Sequence, residues 1–309
     1  MAEVPRHRRR YPGCGTGRMS PKDIKAVIPV AGLGTRLLTA TKVQPKEMLP
    51  VFAKEGGELC IKPLVQLVFE QLFDFGIREF CFVVGRGKRA IEDHFTPDSD
   101  YLKRLTNRDE SVASRKAAMA SALERFYRRV DEASIMLVNQ PVPLGFGHAV
   151  LQAKVFAGDD PFLVHAGDAY VYCTDFGHLR RLLSSFEEGA ECSLALRKVP
   201  DPRMYGVATG KSSRGVVAID EIVEKPKVPK SNLAVTPVYL FRHSIFDAIE
   251  EAGPGIGGEL QLTDGIHTLI QEGKKVVGVT LRPDESWIDI GTPATYWEAL
   301  GISYRNSES

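Results

Sequence analysis

The segment from Lys25 to Arg36, which reads KAVIPVAGLGTR, decides the fold class of this chain. A short apolar run follows Lys25, and the run ends at Gly32 and Gly34. Such a run before glycine is typical of a buried strand that enters a tight loop. The segment therefore predicts the first strand of a sheet, and after it a loop whose backbone amides can face a ligand.

The same pattern recurs along the chain. Residues 79–85 again join an apolar run to a glycine, and apolar side chains between the two runs recur at helical spacing over residues 64–75. Further strands are predicted at 134–138 and 161–166, the second after a helical stretch at 148–156. Alternating strands and helices predict an α/β protein with a doubly wound, mixed but mainly parallel, Rossmann-like sheet.

The domain organisation follows from composition along the chain. Residues 1–22 are basic and rich in glycine and proline, and we interpret them as a disordered tail. There are two alternatives. In one, the start codon lies at Met19, so that the preceding residues belong to an over-long gene start, and in the other, the basic residues form an arm that attracts phosphate. Residues 23–303 are predicted to form one domain, with a charged, alanine-rich helical insertion at about 101–133. We expect the insertion to be a structural flap or a subunit contact.

The overall composition restricts the class of function. The 309 residues carry a formal net charge of only +1, which argues against a nucleic-acid partner, and they contain no apolar run of the roughly 18 residues that a membrane span needs. The cysteines are scattered, without metal-ligand spacing, at Cys14, Cys60, Cys81, Cys173 and Cys192. We expect a cytoplasmic protein with reduced cysteines that handles small molecules.

The glycine loop and the segment that follows it carry the first chemistry. Arg36 and Lys46 can offset the negative charge that develops at a phosphoryl centre, while the loop amides face a triphosphate. A dinucleotide fingerprint would need a third glycine where Leu37 stands, and the Gly-Lys-Ser/Thr ending of a P-loop is absent. A nicotinamide-dependent dehydrogenase is therefore disfavoured.

Two aspartates are candidate metal ligands. Asp168 ends the apolar run 162–167, and open α/β sheets bind ligands at the carboxyl ends of their strands. A carboxylate there suits Mg²⁺. Asp289 precedes Thr292 and Pro293, which read as the N-cap and first position of a helix, so Asp289 could equally support that turn.

Polar residues farther along the chain can recognise a base and a sugar phosphate. Gln140 can both donate to and accept from the edge of a pyrimidine, and Gly145 lets the backbone approach it. Glu224 suits sugar hydroxyls and Lys225 the sugar phosphate. A solvated loop and a charged turn are the alternatives for these two segments.

Five motifs in order carry a resemblance to a known family. They are Gly32-Leu33-Gly34-Thr35-Arg36, Pro45-Lys46-Glu47-Met48-Leu49-Pro50, Gln140 with Gly145-Phe146-Gly147-His148-Ala149-Val150, Tyr205-Gly206-Val207, and Glu224-Lys225-Pro226. Over about residues 24–300 the chain resembles the sugar-1-phosphate nucleotidylyltransferases, and most closely those of bacterial and archaeal type that join UTP to glucose-1-phosphate.

The resemblance implies a role for each matching residue. By resemblance, the catalytic residues are Arg36, Lys46, Asp168 and Lys225. The nucleotide would contact Ala31, Gly32, Gly34, Thr35, Glu47, Gln140, Gly145 and His148. The sugar phosphate would contact Gly206, Glu224 and Lys225, and Mg²⁺ would be held by Asp168 and Asp289. A homodimer or homotetramer is also implied.

Alternatives remain open within and outside the family. The segment 287–292 is more similar to thymidylyltransferases, and Pro237 stands where the family usually has glycine, so dTTP or another hexose phosphate is the nearest alternative. A catalytically silent regulatory subunit is disfavoured because all four of the expected catalytic residues are present. Thr263 reads as a helix N-cap and Glu259 as a surface carboxylate, and neither is counted in the site.

Overall fold

A computed structural model describes residues 19–106 and 113–308 of the chain. The strands are β1 (Lys25–Pro29), β2 (Pro50–Glu55), β3 (Glu58–Pro63), β4 (Glu79–Val84), β5 (Ser134–Asn139), β6 (Phe162–His165), β7 (Ala169–Tyr172), β8 (Cys192–Lys198), β9 (Gly206–Ser213), β10 (Val216–Glu224), β11 (Leu233–Phe241), β12 (Val276–Thr280) and β13 (Ser286–Asp289). The α-helices are α1 (Leu38–Thr41), α2 (Leu64–Phe75), α3 (Arg89–His94), α4 (Ser99–Thr106), α5 (Ala113–Asp131), α6 (Phe146–Gln152), α7 (Lys154–Ala157), α8 (Gly177–Glu187), α9 (Ser244–Ala252), α10 (Leu262–Gln271) and α11 (Pro293–Glu308).

The main sheet of the described residues has nine strands in the order β5-β4-β1-β6-β11-β8-β12-β10-β9. The strands from β5 to β6 pair in parallel, as do β8 and β12, and the other four neighbouring pairs are antiparallel. The α/β class and the mixed sheet are confirmed, but a mainly parallel pairing is wrong. A parallel neighbour needs a crossover helix, and β9, β10 and β11 follow one another without a helix between them.

Helices cover both faces of this sheet, and alternate residues of β1 show the two cores. Ile28 packs with Phe69 of α2 in one core, which also includes side chains of α5 and α8. Val27 packs with Ile249 of α9 and Ile266 of α10 in the other core. Successive side chains of a strand point to opposite faces, so burial on both sides requires the continuous apolar run found in the sequence.

The helices predicted for residues 101–133 are observed as α4 and α5, although residues 107–112 lie outside the described part of the chain. Arg125 of α5 donates to Glu55 of the β2–β3 hairpin at 2.8 Å, and Glu55 also accepts from Lys62. Lys62 in turn bonds Glu70 of α2 at 2.8 Å. The hairpin, α2 and α5 are thus joined by buried and half-buried ion pairs.

Most of the predicted N-terminal tail lies outside the described residues. Residues 19–22 are structured, contrary to the predicted extent of the tail, because Ser20 caps a 3₁₀ turn at Pro21–Asp23 in a capping box and Met19 packs against the core. Among the described helices, none combines the length and the apolar character that crossing a membrane requires.

Candidate active site

A cavity of about 590 Å³ opens where β1 and β6 end, and it gathers nearly all of the predicted site residues. The predicted residues that line it are Ala31, Gly32, Gly34, Thr35, Arg36, Lys46, Glu47, Gln140, Gly145, Asp168, Gly206, Glu224, Lys225 and Asp289. His148 alone among them does not line it. Segments that lie far apart in the chain therefore meet in one place.

The loop after β1 has the conformation that its glycines permit. Gly34 has φ of 64°, in the left-handed region that glycine adopts without strain, and its carbonyl accepts a hydrogen bond from Thr41 Oγ1 at 2.8 Å. After β6, a Cβ on Gly167 would lie only 2.5 Å from Val30 Cγ1. This close contact lets the segment that carries Asp168 pack directly against the end of β1.

Cationic and anionic side chains meet beside this loop. Lys46 Nζ contacts Asp168 Oδ2, and both side chains are half-buried. Burial alone would lower the pKa of Lys46, but the carboxylates of Asp168, Glu47 and Asp289 together outweigh that effect and raise the pKa above its usual range. Lys46 therefore stays charged at neutral pH, as a phosphate ligand must.

The second carboxylate reaches Asp168 through a small two-stranded sheet. β13 pairs antiparallel with β7, which sets Asp289 opposite Ala169, and Ile290 N donates to Asp168 O at 2.9 Å. Burial and the Asp168 charge raise the pKa of Asp289 to about 7, against the lowering effects of Lys46 and Arg36. Two carboxylates this close need a cation to be fully ionised together.

A magnesium ion fits these donors. Among the described residues, there is no group of three or more His, Cys, Asp or Glu side chains that could form a complete metal cage. Mg²⁺ in nucleotide sites is usually held by one or two carboxylates together with substrate phosphates. Asp168 and Asp289, with an elevated pKa on Asp289, match that donor set.

Thr292 and Pro293 form the predicted start of α11. Pro293 is the first residue of the helix, and Thr292 Oγ1 accepts from Thr295 N at 3.1 Å, as an N-cap does. This local prediction is confirmed. Asp289 lines the cavity in addition to preceding this turn.

Gln140, which the resemblance assigns to a base pocket, lines the cavity, and neighbouring residues hold its side chain in place. Its Nε2 donates to Gly145 O at 3.1 Å and lies 2.9 Å from His148 Nδ1, while the other ring nitrogen of His148 lies 3.2 Å from Gln152 Nε2. The direct nucleotide contact predicted for His148 is therefore corrected. α6 turns His148 away from the cavity, and it supports Gln140 instead.

The two glycines near Gln140 are required by a close approach. A Cβ on Gly145 or on Gly147 would lie 2.7 Å from Leu260 O. Two backbone hydrogen bonds join the start of α6 and the residue before it to the segment before α10: Gly147 N donates to Leu260 O at 2.8 Å, and Leu260 N donates to Leu144 O at 2.7 Å. The glycines thus serve packing between two walls of the cavity.

The end of the cavity that is predicted to bind the sugar phosphate is built on β9 and β10. Lys225 has φ of 40°, an uncommon left-handed conformation for a non-glycine residue, and its N–H donates to Tyr205 O at 3.0 Å. Its Nζ lies 3.0 Å from Glu224 Oε1. A Cβ on Gly206 would lie 3.3 Å from Glu224 Oε2, so glycine leaves this carboxylate open to the cavity.

Thr263 belongs to this site, although the sequence pointed to a helix cap. α10 begins at Leu262 with Gln261 as its N-cap residue, so Thr263 is one position inside the helix. Its Oγ1 donates to Glu224 Oε2 at 2.7 Å. The N-cap prediction is wrong, and no local signal could reveal a partner so distant along the chain.

A buried ion pair lies at the end of the cavity that is predicted to bind the nucleotide. Lys88 Nζ lies 2.8 Å from Glu47 Oε2, and the two residues are only 8% and 2% exposed. Burial raises the pKa of Glu47, and the charges of Lys88 and Lys46 oppose that rise. Lys88 was not predicted as a site residue, because a lysine after a strand is ordinarily a surface residue.

Comparisons with known proteins agree with this geometry. A model of the family described as nucleotidyl transferase matches residues 25–303. The UTP–glucose-1-phosphate uridylyltransferase of Bacillus subtilis is 38% identical over 252 residues, which cover 79% of this chain and 80% of that protein.

Solved structures show the same relationship. A UDP-glucose pyrophosphorylase complexed with UDP-glucose has a TM-score of 0.78 and 29% identity, and the match covers 91% of this chain and 98% of that one. A UTP-bound enzyme from Acinetobacter baumannii has a TM-score of 0.74 and 30% identity, over 90% and 92% of the two chains. The resemblance inferred from the sequence motifs is confirmed: the chain belongs to the nucleotidyl transferase family.

Proposed function

We propose that this chain transfers the uridylyl group of UTP to glucose-1-phosphate, giving UDP-glucose and pyrophosphate. One observation carries the proposal: Arg36, Lys46 and Lys225 line a single cavity together with the carboxylates Asp168 and Asp289. Three cations and a divalent-metal site suit a reaction in which two phosphate-bearing substrates must meet. The names of the relatives and the ligands of the solved structures support UTP and glucose-1-phosphate as the pair.

The proposed reaction is an in-line displacement. A phosphate oxygen of glucose-1-phosphate attacks the α-phosphorus of UTP, the new P–O bond forms, and the bond to the β-phosphate oxygen breaks to release pyrophosphate. The attacking phosphate is already an anion near neutral pH, so no general base is required. The protein then contributes positioning and charge neutralisation.

Each cation has a part in this scheme. Arg36 and Lys46 neutralise the triphosphate beside the glycine loop, and Lys225 orients the acceptor phosphate. Lys46 is held against Asp168, and Lys225 against Glu224, so both ammonium groups are positioned before the substrates arrive. Glu224, supported by Thr263, accepts hydrogen bonds from sugar hydroxyls.

Asp168 and Asp289 would hold Mg²⁺. When bound, the ion would supply charge neutralisation at the phosphate oxygens. Because Lys46 contacts Asp168, the metal site and the lysine share that carboxylate, which keeps both positive charges at the reacting phosphates. At the other end, Gln140 would recognise the pyrimidine edge, with Ala31, Gly32, Gly34 and Thr35 around the nucleotide.

The cellular setting of this activity is also part of the proposal. We expect a cytoplasmic enzyme that works as a homodimer or homotetramer, as the family resemblance implies. Light scattering of the purified protein would measure its mass in solution, and a monomer at working concentration would contradict this expectation.

The test is pyrophosphate release with Mg²⁺ and glucose-1-phosphate, with UTP, dTTP, CTP, ATP and GTP offered in parallel, and then UTP with a panel of sugar phosphates. UTP well ahead with glucose-1-phosphate is the expected result. The second candidate is dTTP, because the 287–292 segment resembles thymidylyltransferases. Equal rates with dTTP would support that candidate, and no release with any pair would refute the proposal.

A further inference from the structure

Lys88 is buried behind the nucleotide end of the cavity without lining it. It follows β4 and directly precedes α3, and within the described part of the chain its ammonium pairs with Glu47, at 2.8 Å. A buried ammonium and a buried carboxylate compensate each other, and the loss of one partner leaves an uncompensated charge. Burying both charges costs desolvation free energy, so the position of this pair beside the cavity indicates a role in substrate binding.

Lys88 reaches Glu47 because two loops of the sheet pack unusually closely. A Cβ on Gly85 would lie 2.9 Å from Ala31 O, so the loop after β4 rests directly on the loop after β1. Lys88 N donates to Gly85 O at 3.3 Å and closes a turn there. The turn places the lysine beside Glu47.

The other oxygen of Glu47 faces the cavity wall. If Gly32 carried a Cβ atom, that atom would lie 3.9 Å from Glu47 Oε1. A Cβ atom on Gly167 would lie 3.4 Å from Glu47 Cγ. Glu47 lines the cavity, although it is only 2% exposed. Lys88 therefore binds one oxygen of the carboxylate and leaves the other beside the glycine loop.

We propose that Lys88 is a positioning residue for nucleotide binding. It holds the Glu47 side chain in place, so that Oε1 accepts a hydrogen bond from a hydroxyl or N–H group of the nucleoside. The inference rests on the proposed function, because it takes the nucleotide to occupy this end of the cavity. Without the Lys88 ammonium, the other cation acting on Glu47 is Lys46, and a carboxylate drawn to Lys46 no longer serves the nucleoside.

The test compares UTP binding by the full chain and by two variants of Lys88. Lys88→Met keeps the length of the side chain without its charge, and Lys88→Arg keeps the charge. Calorimetry with UTP and Mg²⁺, without glucose-1-phosphate, should show the Kd of Lys88→Met raised roughly 10- to 100-fold, the effect of losing a hydrogen bond to a charged group. Lys88→Arg should restore most of the affinity, and the KM for glucose-1-phosphate should stay unchanged in both variants.

Lys62 offers a matched control. It is also 8% exposed, its Nζ also lies 2.8 Å from a buried glutamate oxygen, on Glu70, and it lies outside the cavity. Lys62→Met should lower the melting temperature as Lys88→Met does, but leave the Kd for UTP unchanged. A structural role alone would make the two variants behave alike.

Several outcomes would overturn the inference. One is a folded Lys88→Met protein that binds UTP like the wild type, and another is an equal loss of UTP affinity in Lys62→Met. If Lys88→Met does not fold, the double variant Lys88→Met/Glu47→Gln is used instead. It removes both charges while the side chains keep a similar shape, and it should therefore restore folding. That variant must bind UTP weakly, and wild-type affinity there would refute the inference. Failure of the proposed function is distinct, since the wild type itself would then neither bind UTP nor release pyrophosphate.

Discussion

The replacement of Lys225 by Met tests the assignment of the acceptor phosphate. Lys225 Nζ is held 3.0 Å from Glu224 Oε1, and the lysine side chain is 44% exposed. A hydrogen bond to a charged group contributes about 1.5–3 kcal/mol, and solvent screening at this exposure favours the lower part, about 1.5–2 kcal/mol. At about 1.4 kcal/mol for each factor of ten, kcat/KM for glucose-1-phosphate should fall roughly 10- to 30-fold. Methionine keeps the stem, and the left-handed backbone at this position disfavours both side chains similarly.

Initial rates of pyrophosphate release, measured at limiting glucose-1-phosphate and then at limiting UTP, give the two values separately. The KM for UTP should not change, because Lys225 serves the acceptor. Lys230→Met is the matched control: Lys230 also bonds a glutamate, Glu221, at 2.7 Å, but lies outside the cavity. Normal turnover of Lys225→Met at low glucose-1-phosphate would refute the reasoning, and so would an equal loss of UTP affinity.

Three further changes test other parts of the site. The folded-state pKa of Asp289, raised to about 7 from 3.8, means that the native protein holds a proton that the unfolded chain has lost between those pH values, so stability falls as pH rises through this window. Asp289→Asn should therefore melt above the wild type at pH 8 without divalent metal, with the difference vanishing near pH 4; a gap independent of pH would contradict this. Thr263→Val removes the donor to Glu224 and should raise the KM for glucose-1-phosphate roughly 10-fold, whereas Thr263→Ser should keep it, and equal effects of both would argue against the hydrogen bond. Gln140→Ala should raise the KM for UTP and reduce the preference for UTP over CTP in competition assays, and unchanged selectivity would exclude Gln140 from base recognition.

Much of the site could be predicted because its signals are local. An apolar run followed by glycine marks a buried strand and its loop, and a carboxylate at the end of such a run lies where α/β sheets bind ligands. These rules placed Arg36 and Asp168 in the site without knowledge of the strand order. The motif order then added the residues around the base and the sugar, through the family resemblance.

Contacts between distant segments could not be predicted in this way. The hydrogen bond from Thr263 to Glu224 and the pairing of Lys88 with Glu47 both depend on which segments pack together. From its neighbours alone, a threonine before a helical stretch is interpreted as a helix cap. The observed partner of Thr263 lies on β10, far away in the chain. Local pattern carries no information about that choice.

The sequence by itself determined the α/β class, the glycine loop after β1, the helical insertion and fourteen of the residues that line the cavity, since each depends on periodicity or on a short motif. Only the tertiary structure decided that β11 runs antiparallel between β6 and β8, and that the β7–β13 pair brings Asp289 to Asp168. The physical reason is that periodicity records which face of an element is buried. The partner on that face is chosen by the connections and by the close approach of backbones that glycines such as Gly85 and Gly145 permit.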